Sequence, residues 1–221
     1  MQHLTLSALA LAGLLASGLA QADVQLGQNL IVNGDAEAGT AGWTTYDRYS
    51  FIQSVDYGSN WVRPSEPGPQ QRGAKMFAGL GSNAVGYQML DLGQSTQRVY
   101  DYALSGWLGG WQAQGDNAVF SVTFLGENGD LLGSATLGPV TPTDRNNKTG
   151  LWLRETQGQL PVGTRQLGFW LSMERQGGGD NDGYADNLRF ALSAAPVPEP
   201  SQAALLALGL LAIGAARHRS R

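Results

Sequence analysis

The chain has 221 residues, 31 of them glycine, with 14% charged residues, no cysteine and a formal charge of −4. Its only histidines, His3 and His218, stand at the two ends, so the body has neither imidazole nor thiol. That excludes Ser-His-Asp and Cys-His catalysis and His- or Cys-held zinc, and leaves hard cations on oxygen ligands or glycoside hydrolysis by paired carboxylates.

From the N-terminus, Leu4 to Leu19 is an apolar stretch followed by Ala20-Gln21-Ala22, a small-x-small cleavage pattern. Residues 1–22 therefore read as a signal peptide for a secretion translocon and signal peptidase, with the mature start near Asp23. The stretch lacks Lys and Arg ahead of it, and a retained signal anchor is the alternative. Without residues 1–22 and the tail from Ser201, eleven basic residues face all eighteen acidic ones, a charge of −7. Such a balance argues against nucleic acid, whose phosphates demand a basic footprint. The 178 remaining residues are enough for one domain with a proper core, which must hold without disulfides.

Within the body, residues 23–194, a turn-rich stretch before Pro64 carries Tyr46, Tyr49, Tyr57 and Trp61, with Asp56, Asn60 and Arg63 interleaved. Sugar binding needs aromatic faces beside hydrogen-bonding groups, so Tyr57, Asn60, Trp61 and Arg63 are the candidate ligand residues. Trp43 is expected in the core. Period-two alternation then marks half-buried strands: Tyr102, Leu104 and Leu108 against Ser105 and Trp107; Phe120, Val122 and Phe124 against Ser121 and Thr123; Leu167, Phe169, Leu171 and Met173; Leu188, Phe190 and Leu192. Asn128-Gly129, between Val119–Leu125 and Leu131–Leu137, signals a hairpin. Trp107, Trp111 and Trp170 are out of phase with their apolar neighbours and are expected on outer sheet faces. The stretch from Gly179 to Gly183 looks superficially like a calcium loop, but its glycine comes too early, and a flexible polar hairpin is the favoured reading. Eight to ten short strands without a helical stripe predict an all-β jelly-roll sandwich.

The chain ends in a Pro-rich linker over 195–200 that closes with Pro198-Glu199-Pro200, an apolar run over 201–216, and a basic tail, 217–221, with Arg217, Arg219 and Arg221. The run is shorter than the about 20 residues of a full span, and snorkelling arginines lengthen it. The positive-inside rule keeps the arginines cytoplasmic and the body outside. An ordinary C-terminal anchor with a Pro-rich hinge is one reading. The order of Pro198-Glu199-Pro200, short span and Arg cluster also resembles the PEP-CTERM sorting signal of Gram-negative bacteria that make exopolysaccharide. The resemblance implies recognition and processing by an exosortase, then delivery to the envelope or matrix.

The body resembles galactose-binding-like and carbohydrate-binding modules over about 160 residues, in family order. The matching segments are Asn29–Glu37 with Gly42-Trp43, Arg72–Phe77, Tyr102–Leu108 and Gly183–Leu188. This resemblance implies one structural calcium ion joining the first strand to the last, through Glu37 and Asp186 with Asp35 as a further candidate. Asp186 shares parity with Leu188, Phe190 and Leu192, so an uninterrupted strand turns its carboxylate toward the core, where an unpartnered charge is costly. A carboxylate that caps backbone N–H groups or pairs with Arg72 is the alternative. The reading is an exported, non-catalytic binder of exopolysaccharide. Its rivals are a self-associating matrix protein without a sugar ligand and, further off, a glycosidase or lyase.

Overall fold

The alternating segments become strands, and they pair into two five-stranded antiparallel sheets. The structure, a computed structural model, describes residues 26–45, 47–58 and 60–195. The ten strands are β1 (Thr44–Thr45), β2 (Phe51–Asp56), β3 (Lys75–Leu80), β4 (Asn83–Asp91), β5 (Tyr100–Gly110), β6 (Asn117–Leu125), β7 (Leu131–Leu137), β8 (Gly150–Leu160), β9 (Gln166–Glu174) and β10 (Asn181–Ala194). One sheet has the order β2-β3-β10-β5-β8 and the other β1-β4-β9-β6-β7. This is the expected jelly-roll type of sandwich. The Asn128-Gly129 signal falls in the β6–β7 connection, which Gly126 and Asp130 close with a 2.8 Å backbone bond.

Between the sheets, Leu104, Leu108, Leu188, Phe190 and Leu192 meet Phe120, Val122, Phe124, Leu167, Phe169 and Leu171, all buried. Phe190 lies 5.4 Å from Phe169 and 5.7 Å from Tyr102, ring centre to ring centre. Each such side chain contributes roughly 1.5–3 kcal/mol on burial, so this layer replaces the missing disulfides. Trp43 packs on the same core, edge-on to Phe77 at 5.5 Å.

The first sheet carries a second apolar layer on its outer face. Residues 57–74, between β2 and β3, fold back across it as a flap, with the Pro67 carbonyl accepting the Leu151 N–H of β8 at 2.9 Å. Beneath lie Val62, Met76, Ala78, Leu151 and Tyr184, with Trp61, Trp107 and Trp111 against them. The N-terminal segment completes this sheet beside the second half of β10, where Gly27 and Leu30 N–H groups bond to Leu192 and Phe190 carbonyls.

Among the described residues no helix is long and apolar enough to cross a membrane. The signal peptide over 1–22, the apolar run over 201–216, Tyr46 and the sorting residues Pro198, Glu199, Pro200, Arg217, Arg219 and Arg221 lie outside the described residues.

Candidate functional site

The flap decides what becomes of the aromatic loop. Asn60 and Arg63 are exposed, while Tyr57 and Trp61 are half-buried and packed into the layer under the flap. Trp61 meets Tyr184 edge-on at 6.1 Å. Arg72 covers the Tyr57 ring at 5.1 Å and donates to the carbonyls of Pro69, Arg63 and Glu66, which ties the flap together. The structure therefore does not gather Tyr57, Asn60, Trp61 and Arg63 on one open aromatic surface. The sequence pattern of a polar, turn-rich stretch is the same whether its rings face water or a sheet.

Asp186 corrects the parity argument. The β10 register shifts between Asp186 and Arg189, and Asn187 takes a φ of 48°. This bulge turns Asp186 to the flap side, while Ala185 and Leu188 face the inter-sheet core. The carboxylate is buried all the same. Its Oδ2 accepts the Tyr57 hydroxyl at 2.6 Å and its Oδ1 the Asn187 N–H at 2.7 Å. Burial pushes its pKa up to about 7, against these two hydrogen bonds, and the charges of Asp35 and Glu37 push the same way. Burial and the Asp186 carboxylate together raise the Tyr57 hydroxyl well above the ordinary phenol range.

Glu37 and Asp35 are exposed near this carboxylate. Glu37 Oε1 accepts the N–H groups of Ala74 and Lys75, both at 2.8 Å, and so fastens the first loop to the start of β3. Gly73, at a φ of 65°, leaves the room, because a Cβ there would overlap that carboxylate. Asn29, Asn33, Asp35, Gln71, Asn187 and Arg189 line a polar cleft alongside. Among the described residues no three acidic side chains converge on one point as a metal cage would. A cation here would draw on Asp186 and Glu37 together with neighbouring oxygen donors.

The loop before β10 is not the free polar hairpin expected. Asp116 is fully buried and accepts N–H groups of Gln176, Gly177 and Asp182. Asp182 in turn accepts the Tyr184 hydroxyl at 2.5 Å. Burial raises the pKa of Asp182, and Asp116 and Asp180 add to the effect. Beside them Arg145 is wholly enclosed, donating to the carbonyls of Gln112, Gln114 and Lys148. These contacts pin the loops at one end of the sandwich.

A second aromatic group is on the other sheet. Tyr87 of β4 and Trp170 of β9 are register partners whose rings stack at 5.1 Å and 22°. Trp170 lies across from Ser121 of β6, and its indole N–H donates to Thr123 Oγ1 at 3.2 Å. Thr44, paired with Tyr87, and Ser172, two residues along from Trp170, extend the hydroxyl border. Gly168 clears the space, since a side chain there would run into Thr123, Trp170 and Met89. Tyr87, Trp170, Ser121 and Thr123 are half-buried, as Tyr57 and Trp61 are. The sequence pointed to Trp170 as out of phase but not to Tyr87, whose alternation with Gly86 and Gln88 was the available signal.

Residues 196–220 match the family model described as the PEP-CTERM protein-sorting motif. No curated protein sequence matches the chain. Among solved structures, the chain is similar to the enzymatically active domain of bacteriophage CBA120 tailspike protein 4, with a TM-score of 0.52 and 11% identity over 75% of this chain. The matched part is 21% of that chain, so the similarity is one of fold. The chain is also similar to the CBM22-1 xylan-binding domain of Paenibacillus barcinonensis Xyn10C (TM-score 0.47, 15% identity, 79% of this chain and 100% of that one). A family 16 carbohydrate-binding module is similar at a TM-score of 0.45 and 21% identity, over 74% of this chain and 99% of that one.

Proposed function

We propose that this is an exported, exosortase-sorted surface protein whose sandwich binds carbohydrate without catalysis, with exopolysaccharide as the ligand. The stacked Tyr87–Trp170 pair carries the reading. The C–H face of a pyranose packs on aromatic rings that stand beside hydrogen-bonding groups. Ser121, Thr44 and Ser172 stand around the pair as hydroxyl donors and acceptors for the sugar's own hydroxyls. Hydroxyl groups border the pair, where glycoside hydrolysis would use two facing carboxylates. The sorting motif at 196–220 supports delivery of this module to the outside of the cell.

A calcium ion belongs to the same proposal as a stabiliser. Asp186, Glu37 and Asp35 offer hard oxygen donors, and a cation beside Asp186 would favour the charged carboxylate that burial opposes.

The test is retention of the purified chain on exopolysaccharide and on a glycan array, for wild type and Trp170→Ala. Wild-type binding that the variant weakens, with little change in melting temperature, is the expected outcome. No retention on any glycan, together with concentration-dependent assembly, would leave the self-associating matrix protein as the reading.

A further inference from the structure

Both ends of the folded body leave it at one place. Leu26 is bridged to Leu192. β10 ends at Ala194, which pairs with Tyr100 at the start of β5, and Tyr100 pairs with Leu160 at the end of β8. The connections β4–β5 (92–99), β6–β7 (126–130) and β8–β9 (161–165) gather at this same end. They brace one another. The Thr96 N–H donates to the Thr164 carbonyl at 2.9 Å, and the Gly163 N–H to the Thr96 carbonyl at 2.8 Å. The Ser95 hydroxyl donates to Glu127 at 2.7 Å, and Arg165 pairs with Asp91 at 2.7 Å.

The crest of this end is apolar. Leu131 is 65% exposed, Val162 55%, Val99 41% and Leu132 37%, four of the ten large apolar side chains exposed among the described residues. Leu132 Cδ1 lies 3.8 Å from where a side chain on Gly163 would begin, which joins the hairpin to the β8–β9 turn. Around them Asp91, Glu127 and Asp130 offset Arg98 and Arg165, so no basic excess marks the surface for nucleic acid or anionic lipid.

What covers it is indicated by the chain that follows. The sorting motif begins at residue 196, two positions after β10 ends. Residues 195–200, three of them proline, reach about 20 Å at full stretch before the apolar run over 201–216 begins. We infer that this end of the sandwich docks on the bilayer that its own tail enters, seating Leu131, Leu132, Val162 and Val99 at the headgroup boundary. So short a tether holds the surface at a local concentration in roughly the millimolar range, and a few interfacial side chains then suffice. Because the contact is apolar and the nearby charges are balanced, docking is insensitive to salt. The strands stand upright on the membrane, and the sheet face that carries Tyr87 and Trp170 is held sideways.

The absence of native cysteine makes a single-cysteine label unique. Full-length chain carrying Leu131→Cys, Val162→Cys or, at the far end, Lys148→Cys is labelled with an environment-sensitive fluorophore. It is then reconstituted into vesicles of phosphatidylethanolamine and phosphatidylcholine, with co-flotation as the check on insertion. The expected result is a blue shift and quenching by nitroxide lipids at 131 and 162, unchanged in high salt, and a water-like signal at 148. With the label moved to Val99→Cys, adding Leu131→Ser and Val162→Ser should return it toward the water-like signal. Water-like signals at 131 and 162 on co-floating vesicles would overturn the proposal. So would a blue shift that persists without lipid, which would mark contact between two copies, or a chain that does not co-float.

Discussion

The Tyr57 hydroxyl reaches Oδ2 of Asp186 at 2.6 Å, across 129 residues of sequence, and this bond joins the flap to the closing strand. Through it, the loop that covers the first sheet and the carboxylate proposed to hold calcium form one structural unit. Burial favours the neutral form of this carboxylate, and this makes the unit sensitive to pH.

An aspartate in an unfolded chain titrates near about 4, whereas burial holds Asp186 up to about 7. Between those values the folded protein binds the extra proton. The stabilisation from this group is therefore fully present below about pH 4 and is lost as pH rises through about 7. In EDTA, the urea midpoint should fall across that window by an amount worth a few kcal/mol at most, because each tenfold change in proton affinity is worth about 1.4 kcal/mol. Asp186→Asn should flatten the profile. A parallel profile for wild type and variant would refute the assignment.

Calcium should reverse that slope, because a bound cation holds the carboxylate charged. The melting temperature of wild type is expected to drop on adding EDTA and to recover with excess calcium, while Asp186→Asn responds to neither. Superimposable melting curves with and without chelator would count against the metal.

The two aromatic regions predict opposite phenotypes. Trp170→Ala should weaken glycan binding roughly tenfold, the equivalent of about 1.4 kcal/mol, with little change in stability. Trp61→Ala removes a ring packed on Tyr184 and should cost about 3 kcal/mol in urea denaturation while glycan affinity is kept. If Trp61→Ala instead abolished binding in a protein of wild-type stability, the ligand would belong to the flap.

Arg145→Met should be the most damaging single change, about 3 kcal/mol or more, since it strands the carbonyls of Gln112, Gln114 and Lys148 without a donor inside the protein. Denaturant unfolding of the variant is the measurement. A loss below about 1 kcal/mol would mean that these carbonyls find other donors.

Mass spectrometry of the exported protein addresses the sorting motif. The expected product has lost Arg221 and the residues just before it. Recovery of an intact C-terminal Arg221 outside the cell would overturn processing.

Much of the fold was legible because alternation is local. Phe120, Val122 and Phe124 lie on one side of β6, and any strand must put them there. Only the expected facing of Asp186 failed, for the complementary reason. One bulge at Asn187 inverts the parity of everything beyond it, and no periodic pattern announces a bulge. Arg145 was invisible because a single arginine among Asp144, Asn146 and Asn147 looks like any solvated turn. Only three carbonyls brought from two loops make it interior.

Sequence by itself determined what can be written in short range: strand alternation, the exclusion of imidazole and thiol chemistry, and a C-terminal sorting motif whose three parts follow in order. Tertiary structure alone decided which aromatic rings come together. Trp61 packs on Tyr184 because the flap reaches β8 at Leu151, and Tyr87 meets Trp170 only because β4 pairs with β9, some eighty residues away. The neighbours of a ring depend on which strands pair and which loops fold back, and those come from elsewhere in the sequence.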